Sequence, residues 1–344
     1  MIAVVCFVFA GVALFSSAAR AAGPYVVNGA GDPLVWDTAN PVPYHPDQGT
    51  LGILSNAEAV TMVQDNFAAW EAVATSVIQF TNAGALSSDV TDANLDTFLD
   101  NCSDNLSPIV FDTDGSITEL VFGVENKDLV IGFAGPECGT FVPPVITSGV
   151  AVLNGRFIDG AAPADLTQTE YAAVFRHEFG HFFNLDHTQL NIIEAFDGDT
   201  SNDAVVPTML PILINGVEQL TLHKDDEVSV SLLYPDPSFF SSTGTITGTV
   251  LRKDGVTPFQ GANVIARNEA DPLNDAVTAV SGVRYAPGTQ GGPAPSSLEG
   301  FFELFGLTPG ASYTVEIEEI DSLFTNGSAV GPLDPPAALP GPPE

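Results

Sequence analysis

The chain has 344 residues, with 43 Asp and Glu against 9 Lys and Arg and a formal charge of -34. A surface of that sign repels nucleic acid and anionic lipid, so neither is expected as a partner; it suits solvation in salty surroundings and can hold divalent cations. Hydrophobic residues make up 45% of the chain, which excludes wholesale disorder, and the length suggests two domains or one with additions.

Residues 2–15 form an apolar run too short to span a bilayer comfortably. Small residues follow at 16–22, with Ala-x-Ala-like cleavage sites near Ala19 to Ala22, so residues 1–22 read as an export signal, although no Lys or Arg precedes the run. A retained membrane anchor is the competing reading. On the first, the protein is secreted and its mature form is free of the membrane. Cys6 would leave with the signal, and Cys102 and Cys138 would remain as an even pair in an oxidising compartment. They are expected to be bonded to each other; two free buried thiols are the alternative.

Residues 23–237 read as a mixed helix and strand region. A short strand is expected at 41–45. Ser55 and Glu58 form a capping box opening a helix that runs to about Ala74, with Val60, Val63, Phe67, Trp70 and Val73 on one face. Strands are expected at 77–80, 109–111, 120–122, 128–133 and 149–153, and further helices at 165–184 and 222–233. Residues 244–320 hold short β-rich runs at 244–251, 262–267, 276–283, 300–304 and 313–317, with turn residues such as Asp254-Gly255 and Pro309-Gly310 between them. That spacing suggests a small antiparallel β-sandwich. Residues 321–344 are rich in Pro and Gly and read as a tail or linker. The fold class expected is α+β: a twisted sheet with an active-site helix, followed by the sandwich.

The chemistry concentrates in residues 177–187, where three of the five histidines lie. Residues four apart share a helix face, so His177 and His181 can bind one metal ion together. Glu178 can reach the ion's water without being a ligand. His187 can join them only if the helix stops and turns back, and Asn184 is placed to do this because Asn tolerates the left-handed conformation. Three neutral imidazoles leave zinc its double charge and an open position, lowering the pKa of bound water to roughly 7. His45 and His223 have no such company and read as ordinary surface or loop residues. Asp112-Thr113-Asp114-Gly115-Ser116 alternates oxygen ligands before a glycine, as calcium loops do, but lacks the distal Glu; a tight turn between strands explains it equally well.

The stretch 177–187 resembles the metzincin zinc signature, His-Glu-x-x-His-x-x-Gly-x-x-His, with Asn184 at the usual glycine. The resemblance implies a metzincin-like sheet and a methionine turn beneath the metal, for which Met209 in Pro207-Thr208-Met209-Leu210-Pro211 is the match. Thr188 after the third histidine suits the matrixin branch, and the likeness covers about residues 35–236. No Tyr closely follows Met209, so a tyrosine ligand is not implied; the stretch from Gly23 to Trp36 is short and has no cysteine, so a matrixin-type propeptide is not expected there. Residues 244–320 resemble the carboxypeptidase regulatory-like, transthyretin-like sandwich through Gly248-Thr249-Val250, Gly261-Ala262-Asn263-Val264, Gly300-Phe301-Phe302 and residues 306–310.

The resulting expectation is a secreted zinc endopeptidase with His177, His181 and His187 on the metal and Glu178 as general base, acting on a protein or peptide. The substrate would lie extended on an exposed edge strand, for which Gly149, Val150, Ala151 and Val152 are the candidates. Residues 207–213 would wall a pocket beside the metal. The other class of function is an inactive surface adhesion or binding module on the same scaffold. Oligomeric state is left open. No residue assigned to chemistry lies beyond Pro237, so the sandwich is expected to be dispensable for bond cleavage.

Overall fold

The computed structural model describes residues 23–28, 32–99, 101–161, 165–214, 216–259, 261–282, 284–286, 289–292 and 299–318. The expected export signal and the Pro/Gly-rich tail lie outside the described residues. Among the described residues, no helix is long and apolar enough to cross a membrane.

The elements run in the order β1 (Val35–Trp36), β2 (Val42–Pro46), α1 (Asn56–Glu71), β3 (Phe80–Asn82), β4 (Pro108–Asp112), α2 (Ser116–Phe122), β5 (Gly132–Phe141), β6 (Pro144–Asn154), α3 (Gln168–Phe182), α4 (Ile192–Phe196), α5 (Gly216–Gln219), α6 (Lys224–Leu233) and α7 (Phe239–Ser242). The first six strands make one sheet, parallel throughout except for β5, which pairs antiparallel with β6. Burial with period 2 covers both faces. Ile109, Phe111, Ala151 and Leu153 pack on one face with α1 and α3, while Val110, Val150 and Val152 pack on the other with Leu86, Val90, Leu95 and Phe98. Between α1 and α3, Phe67 stacks on Phe179 with centroids 3.9 Å apart. The capping box of Ser55 and Glu58 is present, and α3 opens with a second one, Thr167 and Glu170.

Several expectations change. Residues 120–122 are helical, not a strand, because Gly115 takes a left-handed φ of 83° and the Asp112 carboxylate then receives the N–H groups of Ile117 and Thr118 and the Thr118 hydroxyl. Asp112 is thus turned inward onto the first turn of α2, where three donors already occupy its carboxylate. The strand expected at 128–133 starts only at Gly132, and that at 77–80 moves to β3. Gly149, Val150, Ala151 and Val152 are not an exposed edge. They pair with Pro136, Gly135, Ala134 and Phe133 of β5 on one side, and Ala151 and Val152 also pair with β4. Their apolar run is that of a strand buried on both faces. The edge beside them is β5, and it is anchored by the Cys102–Cys138 disulfide, whose Cα atoms are 5.6 Å apart.

Helix α3 ends as the sequence anticipates. Asn184 has φ 84°, its N–H donates to the His181 carbonyl, and the Leu185 N–H donates to the Gly180 carbonyl. This is the Schellman pattern with Asn in the left-handed position. Asn rather than Gly has a second use here. The buried Asn184 side chain accepts from the Val26 N–H at 2.7 Å and donates to the carbonyls of Val26 at 2.9 Å and Leu34 at 2.7 Å. It thereby fastens residues 23–28 to the end of the helix, where Asp186 N–H also donates to the Gly23 carbonyl.

The C-terminal strands are β7 (Gly244–Thr249), β8 (Asn263–Asn268), β9 (Asp271–Val280), β10 (Arg284–Ala286), β11 (Thr289–Gly292), β12 (Phe301–Leu307) and β13 (Tyr313–Glu318). They form antiparallel sheets β12-β7, β13-β8-β9 and β10-β11, close to the expected runs. Val264, Ala266, Val277, Phe302 and Leu304 fill the space between them together with Val228 and Leu232 of α6. The same helix sends Val230 and Leu233 into the large core. A helix buried on all sides in this way joins two cores rather than ending one.

Replacing Asn184 by Gly keeps the left-handed turn but removes three buried hydrogen bonds, and is expected to cost about 2–4 kcal/mol in urea unfolding. Ala should cost about 1 kcal/mol more, because it also resists the positive φ.

Candidate metal centre

Two features of the sequence bring the histidines together. His177 and His181 share one face of α3, and the reversal at Asn184 carries His187 back to them. Their Nε2 atoms lie 3.1 Å (His177–His181), 3.0 Å (His181–His187) and 3.2 Å (His177–His187) apart. Tetrahedral ligation at a Zn–N distance of about 2.0–2.1 Å needs nitrogens about 3.3 Å apart. Among the described residues this is the one group of three or more His, Cys, Asp or Glu that could hold a metal ion.

The tautomers settle what the cluster needs. His177 Nδ1 lies 2.7 Å from the Thr208 carbonyl and His181 Nδ1 lies 2.7 Å from the Leu185 carbonyl. A carbonyl only accepts, so both Nδ1 atoms carry the proton and both Nε2 atoms are bare. At 3.1 Å two bare lone pairs repel unless a cation lies between them. A proton is a poor candidate: burial pushes His177 down to about 4, against a smaller upward pull from its bond to Thr208. His181 falls to about 3 through burial and the neighbouring His177. The donor set is therefore complete for a metal and held neutral for it.

Glu178 lies outside the ligand group, buried against Gly132, the first residue of β5. A Cβ on Gly132 would come within 2.9 Å of the Glu178 Cγ. Burial raises the Glu178 carboxyl to about 8 in the metal-free protein. Further along β5, Gly135 abuts the ring of Tyr25, whose centroid is 5.7 Å from that of His181. The edge strand therefore runs past the whole site.

Met209 is fully buried beneath the helix, against Gly180. A Cβ at Gly180 would meet the Met209 sulfur at 2.4 Å. The turn is held by a residue the sequence reading passed over. Asp226 accepts the N–H groups of Met209 and Thr208, each at 3.0 Å, and that of His223 at 2.8 Å. Its neighbour Asp225 accepts the Thr188 hydroxyl at 2.6 Å and the Thr278 N–H at 2.8 Å. In the sequence the pair reads as ordinary first-turn acids of a helix; no local signal shows that both point inward. His45 and His223 stay away from the triad: the first accepts the Ser107 N–H, the second precedes α6 and donates to the Ala204 carbonyl. No model of a known protein family matches the chain, and neither does any curated protein.

Gly to Ala within a helix ordinarily stabilises by about 0.5–1 kcal/mol. At Gly180 the opposite sign is expected, a loss of about 1–3 kcal/mol in thermal or urea unfolding, because Met209 must be displaced. A second test uses pH on the metal-free protein. Glu178 binds its proton more tightly folded than unfolded, so its contribution is full below about 4.5 and is lost as pH rises to about 8. His177 and His181, depressed when folded, act oppositely and only below about pH 6.5. Between pH 6.5 and 8, Glu178→Gln should therefore remove about 2 kcal/mol of the wild-type loss of stability.

Proposed function

We propose that the chain is a secreted, zinc-dependent endopeptidase of the metzincin kind, closest in design to the matrixins. The observation that carries this reading is the convergence of three imidazole nitrogens, two of them bare, beside a buried carboxyl group that is not one of them. A metal site that only stabilised the fold would have a closed ligand set and no use for Glu178. Zinc held by His177, His181 and His187 would supply an acidified water and polarise the scissile carbonyl.

The chain's own residues supply the rest. Glu178 accepts a proton from the attacking water and returns it to the departing amine. Its burial against Gly132 favours the protonated form, and a dication nearby favours the ionised one, so the group is poised to do both. Thr208 and Leu185 hold the first two rings by their Nδ1 protons. A peptide substrate would lie extended along the outer edge of β5, where no strand pairs among the described residues, in place of the edge expected at 149–152. The disulfide keeps that edge in position and accords with an extracellular setting. Residues 207–213, with Met209 buried beneath the metal ligands and Ile212 partly exposed, would wall the pocket for an apolar side chain.

The purified protein is expected to carry one zinc per chain and to cleave an unfolded protein. His187→Ala should lose the zinc. Glu178→Ala should keep the zinc and lose cleavage by at least about a hundredfold. A strong chelator should stop the wild type, and added zinc should restore it. Zinc-loaded wild type that cleaves no peptide would overturn the reading in favour of a binding module, and cleavage indifferent to chelators would overturn the metal chemistry.

A further inference from the structure

The four residues after the third histidine are buried against the sandwich. Thr188, Gln189, Leu190 and Asn191 have at most 2% of their surface exposed. The Thr188 N–H donates to the Met209 carbonyl, and its hydroxyl donates to Asp225, whose other oxygen takes the N–H of Thr278 in β9. Leu190 packs on Ile265 of β8 and Ala276 of β9. Asn191, in a left-handed conformation at φ 60°, donates to the Leu273 carbonyl and accepts from Arg267 at 2.7 Å. Arg267 is itself held by Glu316 and Glu318 of β13.

His181 and His177 are placed by a helix, but His187 sits on an irregular segment with no ladder of its own. What holds such a segment is whatever packs around it: the Gly23 and Met209 carbonyls take the N–H groups of Asp186 and Thr188, and behind Thr188 to Asn191 lie two strands of the sandwich and the Asp225 carboxylate. We infer that the sandwich is a positioning element for the third zinc ligand, acting through Asp225 on Thr188 and through Arg267 and Ile265 on Leu190 and Asn191. On this inference the sandwich is not dispensable, in contrast to the expectation from the sequence. The inference rests on the triad being a zinc site, and not on what that zinc does.

Partners of metal ligands typically contribute tenfold to a hundredfold in metal affinity. The test is zinc affinity of the full chain by chelator competition, with the visible spectrum of the cobalt-substituted protein as a report on ligand geometry. Urea unfolding of each metal-free variant monitors the fold. Asp225→Asn removes one acceptor from the junction, and Arg267→Gln frees Asn191 from a distance; each should weaken zinc binding by about tenfold or more and alter the cobalt bands. Ile265→Ala opens space beneath Leu190 without touching a charge, and serves if Arg267→Gln fails to fold; a loss of several-fold is expected. Thr188→Ser keeps the hydroxyl and should stay within about twofold of wild type, whereas Thr188→Val should follow Asp225→Asn. Folded Arg267 and Ile265 variants with wild-type affinity and unchanged cobalt bands would overturn the inference, as would a wild type that binds no zinc. Weakened zinc binding in a protein whose wild type cleaves nothing would support it, and would overturn the peptidase reading alone.

Discussion

Three imidazole nitrogens held about 3 Å apart inside a protein need their rings fixed from behind, and that need organises what surrounds them. Left alone, buried rings would rotate or take up water. They are kept in place because their other nitrogens are committed elsewhere: His177 to the carbonyl of the methionine turn and His181 to the carbonyl just past the end of its own helix. Each of those carbonyls must then be fixed in turn. Leu185 is fixed by the left-handed Asn184 and by residues 23–28 that Asn184 ties down, and Thr208 by the Asp226 carboxylate. The triad is thus held by hydrogen bonds that reach from residues 23–34 to Asp226.

Helix α6 is where these obligations meet. Asp226 faces the methionine turn and Asp225 faces the junction of Thr188 with the sandwich, while Val230 and Leu233 enter one core and Val228 and Leu232 the other. Two adjacent carboxylates buried without a nearby Lys or Arg would ordinarily be costly. Burial does raise Asp225, to about 7, although bonds to Thr188 and Thr278 oppose the rise. Backbone and hydroxyl donors make the burial tolerable, and they do so only in one arrangement of turn, helix and sandwich. The helix consequently sets the register of the sandwich against the metal centre. Gly306 shows how close the fit is, since a Cβ there would strike Val228 at 2.1 Å.

The edge strand flanks the site. β5 is the antiparallel strand of an otherwise parallel sheet, linked to β6 by a tight turn and to residue 102 by the disulfide. It touches Glu178 at Gly132, where a side chain would crowd the neighbour, and Tyr25 at Gly135. An exposed strand edge is a hazard in most proteins. Here a formal charge of -34 discourages association between copies of the chain while the edge stays open.

The sequence by itself determined the histidine triad, the helix that carries its first two members and the reversal at Asn184, because each depends on spacing within one segment and on the intrinsic conformational preference of a single residue type. The same locality made the capping box at Ser55 and the C-terminal strands legible. It did not determine which strand is the edge. Residues 149–152 and 132–135 are both short apolar runs, and only pairing with partners distant in the chain makes the first interior and the second open. It misplaced residues 120–122, where a carboxylate turned inward decides for helix. It was silent on Asp225 and Asp226, since acids in a first helical turn look alike whether they meet water or the back of an active site. The place of the sandwich was decided by tertiary structure alone: the segment behind His187 has no regular structure of its own, so its conformation is whatever the packing of two cores against α6 imposes.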